Sequence, residues 1–363
     1  MKIGNHRTTS LVLFILFVCI YLLIRTNEKI SKEEEEEEDG NRYLSICPQL
    51  SSSSKGYLRV EIVTRNGINH SSICQSTDEL LIYILSTYKN WQRRDAIRKT
   101  WANKKLHSKL NRICFVFVVG LSTTSNDSLL VNLTNESTRW NDIVQLNIEE
   151  TYGNVVYKEV GALKWTHSFA SHIPFLFKTD DDLVVDTLLL NDIIQFLLTN
   201  QTHHSRYLQK KATLKPMIEQ MQSFDRYTLF RGKLFDSTKT FRRGKFRIHE
   251  LAWNYHRLPP YCSGFGLLFS SFIRDRLYRA SLCYGSEYVP LVGDVFMSGF
   301  LAGAASVRCS SWPLNYVQTG EPCSRFFDKY PRLIVCSTSL HYGKNNFLDF
   351  DSAWKAIVQR HFI

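Results

Sequence analysis

Short, almost unbroken apolar runs alternate along this chain with stretches whose apolar residues recur at helical spacing. Residues 80–86, 114–120, 143–148 and 175–178 are dominated by Leu, Ile, Val and Phe. Strands of that composition are buried on both faces, which belongs to a parallel sheet covered by helices. Residues 91–101, 155–170 and 188–198 carry the helical period instead. Strand and helix in alternation predict an α/β fold with a mainly parallel central sheet, and ligands of such sheets bind outside the carboxyl ends of the strands. Residues 202–213 are polar with few core positions, and residues 230–261 are dense in aromatics and cations.

The N-terminal pattern is different. Residues 11–24 form an uninterrupted apolar run, preceded by Lys2 and Arg7 and closed by Arg25. No small-residue cleavage site follows, because the next residues are Arg25, Thr26, Asn27 and Glu28. The run therefore predicts a short membrane anchor, and the positive charge ahead of it turns the N-terminus to the cytoplasm. Residues 33–39 are six glutamates and an aspartate, and 51–54 are serines. Such composition cannot bury enough surface to fold and predicts a flexible stem. The expected organisation is a cytoplasmic tail at 1–10, a transmembrane anchor at 11–24, a luminal stem at 25–79 and a globular body at 80–363.

Charge narrows the partners. The formal net charge is +11, and without the seven acids of 33–39 it becomes +18. So basic a body on the luminal side of a membrane argues against nucleic acid and leaves an anionic sugar nucleotide or an acidic membrane surface. Beyond Cys19 in the apolar run there are eight cysteines and no CxxC pair, a pattern that favours disulfides over zinc. Asn69, Asn126, Asn132, Asn135 and Asn200 head glycosylation sequons.

The densest chemistry lies in residues 175–185, Phe-Leu-Phe-Lys-Thr-Asp-Asp-Asp-Leu-Val-Val. Three carboxylates at the end of a buried strand are costly unless a cation neutralises them. Hard oxygen ligands suit Mn²⁺ or Mg²⁺, which take one or two protein carboxylates and fill the remaining positions with water and substrate phosphates. The competing reading is a solvated acidic turn, which the apolar flanks oppose.

Two further residues carry open alternatives. Asp294, in Leu291-Val-Gly-Asp-Val-Phe-Met-Ser-Gly299, starts a predicted helix either as its cap or as a general base whose proton affinity is raised by shielding from water. His341 follows a strand-like run and is either a metal ligand or a surface histidine. Ser263-Gly-Phe-Gly266 lets backbone approach a ligand or simply turns the chain. Trp253, Tyr255 and Tyr261 offer rings for a sugar face, with core packing as the competing role.

Four segments in order give the body a family likeness: Arg94-Asp-Ala-Ile-Arg-Lys-Thr-Trp101; Glu150-Thr-Tyr-Gly-Asn154 with Lys158 and Trp165; Phe177-Lys-Thr-Asp-Asp-Asp182; and Pro260-Tyr-Cys-Ser-Gly264 with Gly293-Asp-Val-Phe296. From about Leu80 to His361 the chain resembles the β1,3-galactosyltransferase and β1,3-N-acetylglucosaminyltransferase family of Golgi glycosyltransferases. The resemblance implies a GT-A fold, a single-pass type II Golgi membrane protein, and inverting transfer from a UDP-sugar with Mn²⁺ to a glycan acceptor on lipid or protein. Galactose is the expected sugar, with N-acetylglucosamine and N-acetylgalactosamine as alternatives. Asp180 and Asp182 match the family's DxD positions, the first beside the donor and the last on the metal, with Asp181 between them on the donor side. The likeness further implies His341 as a metal ligand, Asp294 as the catalytic base and Arg98 as a donor-side contact. One departure stands out: the family usually has Glu before the Asp of its Glu-Asp-Val motif, and here that position is Gly293. A luminal lectin is the rival from another class, and it leaves three clustered acids unexplained.

Overall fold

The computed structural model describes residues 58, 60–63, 72–122, 127–201, 205–210, 212–284, 289–342 and 347–362. The chain divides into two compact units, Met1–Gln49 and Leu50–Ile363, and every described residue lies in the second. The expected anchor at 11–24 and most of the expected stem fall outside the described residues. Among the described residues, no helix is long and apolar enough to cross a membrane.

The first half builds as its pattern predicts. β1 (Leu80–Leu85), α1 (Trp91–Lys99), β2 (Ile113–Leu121), α2 (Asp127–Trp140), β3 (Ile143–Glu149), α3 (Val155–Phe169) and β4 (Phe175–Asp180) alternate strictly. Every residue of β1 is buried, as are Phe175 to Thr179 of β4. Then come β5 (Leu183–Val185), α4 (Thr187–Thr199), α5 (Arg206–Lys210), α6 (Lys215–Gln222), β6 (Phe230–Gly232), β7 (Leu234–Phe235), β8 (Tyr261–Cys262), β9 (Leu267–Ser270) and α7 (Ser271–Leu282). The chain closes with α8 (Gly293–Val295), a π-helical turn (Phe296–Phe300), α9 (Leu301–Ala304), β10 (Ser310–Ser311), β11 (Asn315–Val317), α10 (Ser324–Lys329), β12 (Leu333–Ser337) and α11 (Leu348–Phe362). Tyr207 and Leu208 in the stretch read as polar are buried, so α5 joins the core.

The central sheet has seven strands in the order β10-β6-β9-β4-β1-β2-β3. β4, β1, β2 and β3 are mutually parallel, but β9 runs antiparallel to both β4 and β6. The expectation of a mainly parallel sheet thus holds for one half, and the whole sheet is mixed. The reversal matters because Leu267, the first residue of β9, pairs with Lys178 near the end of β4. The loop before β9 therefore lies at the same edge as the carboxyl ends of the parallel strands.

A second sheet, β11-β12-β5, branches from the end of β4, with β12 antiparallel to β5 and Ser337 opposite Leu183. The body also starts earlier than expected. Leu58 and Val60 are buried, and Ile62 bridges Leu146 of β3. Disulfides join Cys74 to Cys114, Cys262 to Cys309 and Cys323 to Cys336, which bears out the preference for disulfides over zinc at these six.

Candidate active site

The acid triplet separates into three fates. Asp180 ends β4, where Leu85 of β1 is its parallel partner, and its side chain keeps 34% exposure. Lys178 donates to its Oδ1 at 3.0 Å. Burial first, and then the Asp182 charge, push the Asp180 pKa above the ordinary carboxylate value against the pull of Lys178, and the remaining exposure tempers that push.

Asp182 is joined to a residue far away in sequence. Thr338 donates from both its backbone N (2.9 Å) and its hydroxyl (2.7 Å) to the Asp182 carbonyl oxygen. That clamp extends the β12–β5 pairing and delivers the turn Ser339–Tyr342, so that His341 Nδ1 lies 2.9 Å from Asp182 Oδ2. The hydrogen bond to Asp182 raises the His341 pKa above its ordinary value. Two expected ligands 159 residues apart in sequence thus meet.

Asp181 is turned toward the protein. Its carboxylate accepts from Ser86 Oγ at 2.7 Å, Asn90 Nδ2 at 2.8 Å and Arg93 Nη1 at 2.9 Å, and it is buried. Three donors from the β1–α1 connection and α1 occupy most of its acceptor sites, and it braces that loop.

Arg98 is likewise engaged within the protein. Its guanidinium donates to Asp142 at 2.7 and 2.8 Å and to Glu136 at 2.7 Å, while lying over the rings of Phe117 and Trp140. This arginine ties α1 to the α2–β3 corner through all three of its nitrogens. The arginine that reaches the acids is Arg93, 2.9 Å from Asp181 and 3.8 Å from Asp182. Arg94 and Arg98 are four apart and share a helix face, both on Glu136, whereas Arg93 points elsewhere.

Asp294 joins from the other side of the sheet edge. Its Oδ1 accepts from Val295 N at 2.9 Å, and Gly264 N lies 3.4 Å from its Oδ2. A Cβ on Gly264 would stand 2.8 Å from Lys178 Nζ and 3.3 Å from Asp294 Cβ. Only a glycine lets this backbone pass between the two, and its carbonyl accepts from Lys178 at 2.7 Å. The Ser-Gly-Phe-Gly run therefore serves close approach, though to side chains of the protein. Burial raises the Asp294 pKa against Lys178 and the backbone donors. A shielded carboxylate of raised proton affinity can accept a proton during reaction.

Lys178 is the hub that sequence reasoning missed. It is buried, donates to Asp180 and the Gly264 carbonyl, and stands 3.4 Å from Glu159 Oε1 on α3. Burial alone would lower its pKa, but Asp180 and Glu159 hold it above the ordinary value. A lone lysine inside Phe-Leu-Phe-Lys-Thr was the available signal, because a buried cation requires acid partners.

Tyr152 was missed as well. Its ring is 43% exposed, and burial of the hydroxyl together with the Asp294 and Asp180 charges pushes its pKa up to about 12. Lys245 Nζ sits 4.4 Å from that ring's centre and Phe246 packs beside it. By contrast Tyr261 is buried against Phe235, and Trp253 packs on Phe300.

Asp182 Oδ2 and His341 Nδ1 are spaced so that one cation can bind both, and an oxygen with an imidazole nitrogen is a donor set that Mn²⁺ accepts. Among the described residues, the cluster of three ligand-type side chains within metal-binding distance is Cys74, Asp78 and Cys114, and its two cysteines are a disulfide. The fold and site define an α/β protein with an acid-rich cleft at the carboxyl ends of parallel strands.

Residues 92–313 match the galactosyltransferase family model. The chain belongs to that family. It is 28% identical to human beta-1,3-galactosyltransferase 2 over 216 residues, 59% of this chain and 46% of that protein. It is 26% identical to rat (Rattus norvegicus) UDP-GalNAc:beta-1,3-N-acetylgalactosaminyltransferase 1 over 211 residues, 58% of this chain and 56% of that protein. The chain thus spans about half the length of the curated relatives it matches. A solved structure of the galactosyltransferase LgtC, in complex with donor and acceptor sugar analogs, aligns with 76% of this chain and 95% of its own at 11% identity, with a TM-score of 0.34. The family match takes in the acid triplet and Asp294 and ends before His341.

Proposed function

We propose that this protein is an inverting β1,3-glycosyltransferase of GT-A type that moves galactose from UDP-galactose to a terminal sugar on a glycolipid or glycoprotein. The observation that carries the reading is a base-like carboxylate, Asp294, held through Gly264 and Lys178 beside the acids that end β4. Family membership and relatives named for β1,3 transfer support it. The reading includes a Golgi type II arrangement with the sequence-predicted anchor at 11–24.

Each residue then has a task. Asp182 and His341 would hold a divalent cation, Mn²⁺ in this reading, and when bound it would supply positive charge against the diphosphate of the leaving UDP. Asp180, fixed by Lys178, lies on the donor side. Asp294 takes the proton of the acceptor hydroxyl, whose oxygen bonds to the sugar carbon as the bond to UDP breaks. Attack opposite the leaving group turns an α-linked donor into a β-linked product. Tyr152 at the lip provides a ring for a sugar face.

The test is UDP release by the full-length protein in detergent, with a panel of UDP-sugars and terminal-sugar acceptors. Release that requires one donor, an acceptor and Mn²⁺, and that stops with chelator or in Asp182→Ala, is the expected result. Release without dependence on any acceptor identifies a hydrolase instead, and glycan binding without release identifies a lectin.

A further inference from the structure

Glu159 is a carboxylate for which the mechanism above has no use. It lies on α3 with 1% exposure; Oε1 is 3.4 Å from Lys178 Nζ and Oε2 has no hydrogen-bond partner. The charged and titratable groups around it are Lys178 and Asp180 from β4, Asp294 from α8 and Tyr83 from β1. Burial, opposed by Lys178, raises its pKa to about 7. A buried, half-satisfied acid is costly, so its retention beside the site's one buried lysine calls for a reason.

Gly293 supplies that reason. A Cβ at 293 would collide with Val155 Cγ1 at 2.7 Å and stand 3.9 Å from Glu159 Oε1. Val155 and Glu159 are one helical turn apart on α3. Val155 thus crowds the place of a Cβ at 293, and the Glu159 carboxylate lies next to it.

We propose that Glu159 is a positioning residue that supplies, from α3, the carboxylate missing at position 293, sharing Lys178 with Asp180 and Asp294 so that Asp294 keeps its basicity. The proposal rests on the transferase reading for its effect on Asp294, but not for the carboxylate exchange itself. With Glu159 ionised, less of the Lys178 charge is left to hold Asp294 in its deprotonated form. Neutralising Glu159 lowers the proton affinity of Asp294.

The test compares Glu159→Gln, Glu159→Asp and the triple variant Glu159→Gln/Val155→Ala/Gly293→Glu in the full-length protein. For Glu159→Gln the acid limb of the kcat/KM profile moves to lower pH by about one unit and kcat at pH 8 falls about tenfold. Glu159→Asp keeps the wild-type limb, and the triple variant regains it. A limb that stays in place with Glu159→Gln overturns the proposal, and so does rescue by Val155→Ala without Gly293→Glu.

Thermal unfolding reads the same exchange without catalysis. The folded-state pKa of Glu159 is raised, so wild-type stability declines as pH rises from about 4.5 toward about 7. Asp180 and Asp294, also raised, add to that decline, so Glu159→Gln makes it smaller and the triple variant restores it; an unchanged decline in Glu159→Gln overturns the proposal. Absence of wild-type UDP release with every donor defeats the transferase reading alone and leaves unfolding to decide the exchange.

Discussion

Asp180 and Asp186 both follow buried strands in the same short stretch of chain, and the protein neutralises them by different means. Asp186 caps α4 by accepting from Leu189 N at 2.8 Å, and it also takes Arg360 Nε at 2.8 Å and His361 Nε2 at 2.9 Å from α11. Burial would raise its pKa, but Arg360 and His361 hold it far below the ordinary value. The cleft acids are left short of cations: Asp180, Asp294 and Glu159 share Lys178, and all three are pushed up by burial. A saturated acid is a fastener, whereas an undersupplied one keeps the capacity to take a proton or a metal.

Removing one acid from each site tests this contrast. The largest effect is expected from Asp294→Asn, where transfer falls by about 10²–10⁴-fold while UDP still binds by calorimetry. Normal turnover in that variant would reject the assigned base. The same base gives a pH signature: transfer is lost as pH falls through a pKa above the usual carboxylate range, so the acid limb lies higher than an exposed aspartate would place it.

Next comes the fastener. Arg360→Ala strands Asp186 in the core and costs about 3–5 kcal/mol in denaturant unfolding. Because the folded pKa of Asp186 is depressed, its stabilisation is present above the unfolded value near 4 and is lost as pH falls below it. A wild type that resists acid no better than Arg360→Ala would break the comparison.

Arg98→Lys tests the role of the first motif. It loses the two-pronged contact with Asp142 and should cost about 1.5–3 kcal/mol of stability while leaving the donor KM unchanged. A raised donor KM at full stability would return Arg98 to the cleft. The smallest effect is expected from Tyr152→Ala, which raises the acceptor KM by an amount equivalent to about 1 kcal/mol, with Tyr152→Phe close to wild type.

Much of the cleft was legible because a strand that turns abruptly from Phe-Leu-Phe to three aspartates has few explanations. The four parallel strands were equally plain in their continuous apolar runs. Direction was not: Leu-Leu-Phe-Ser in β9 reads the same whether the strand runs parallel or antiparallel, and only its neighbours decide. Rotation about a helix was lost too, so Arg98 was named and Arg93, one residue ahead of the motif, was not. His341 was visible through family likeness alone, since a histidine after an apolar run carries no sign of its partner. Lys178 was a lone cation in an apolar segment and Glu159 stood next to Lys158, and reading Lys178 and Glu159 together required knowing that β4 and α3 adjoin.

The union of Asp182 with His341 also has a history in time. The two are 159 residues apart, and Asp186 and Arg360 are 174 apart. A ribosome releases the acid triplet long before the strand and helix that complete it. Through that interval the parallel half can assemble on local contacts, while the cleft awaits β12 and α11. The site is therefore finished last, and a nascent chain halted before β12 would hold the acid triplet without His341.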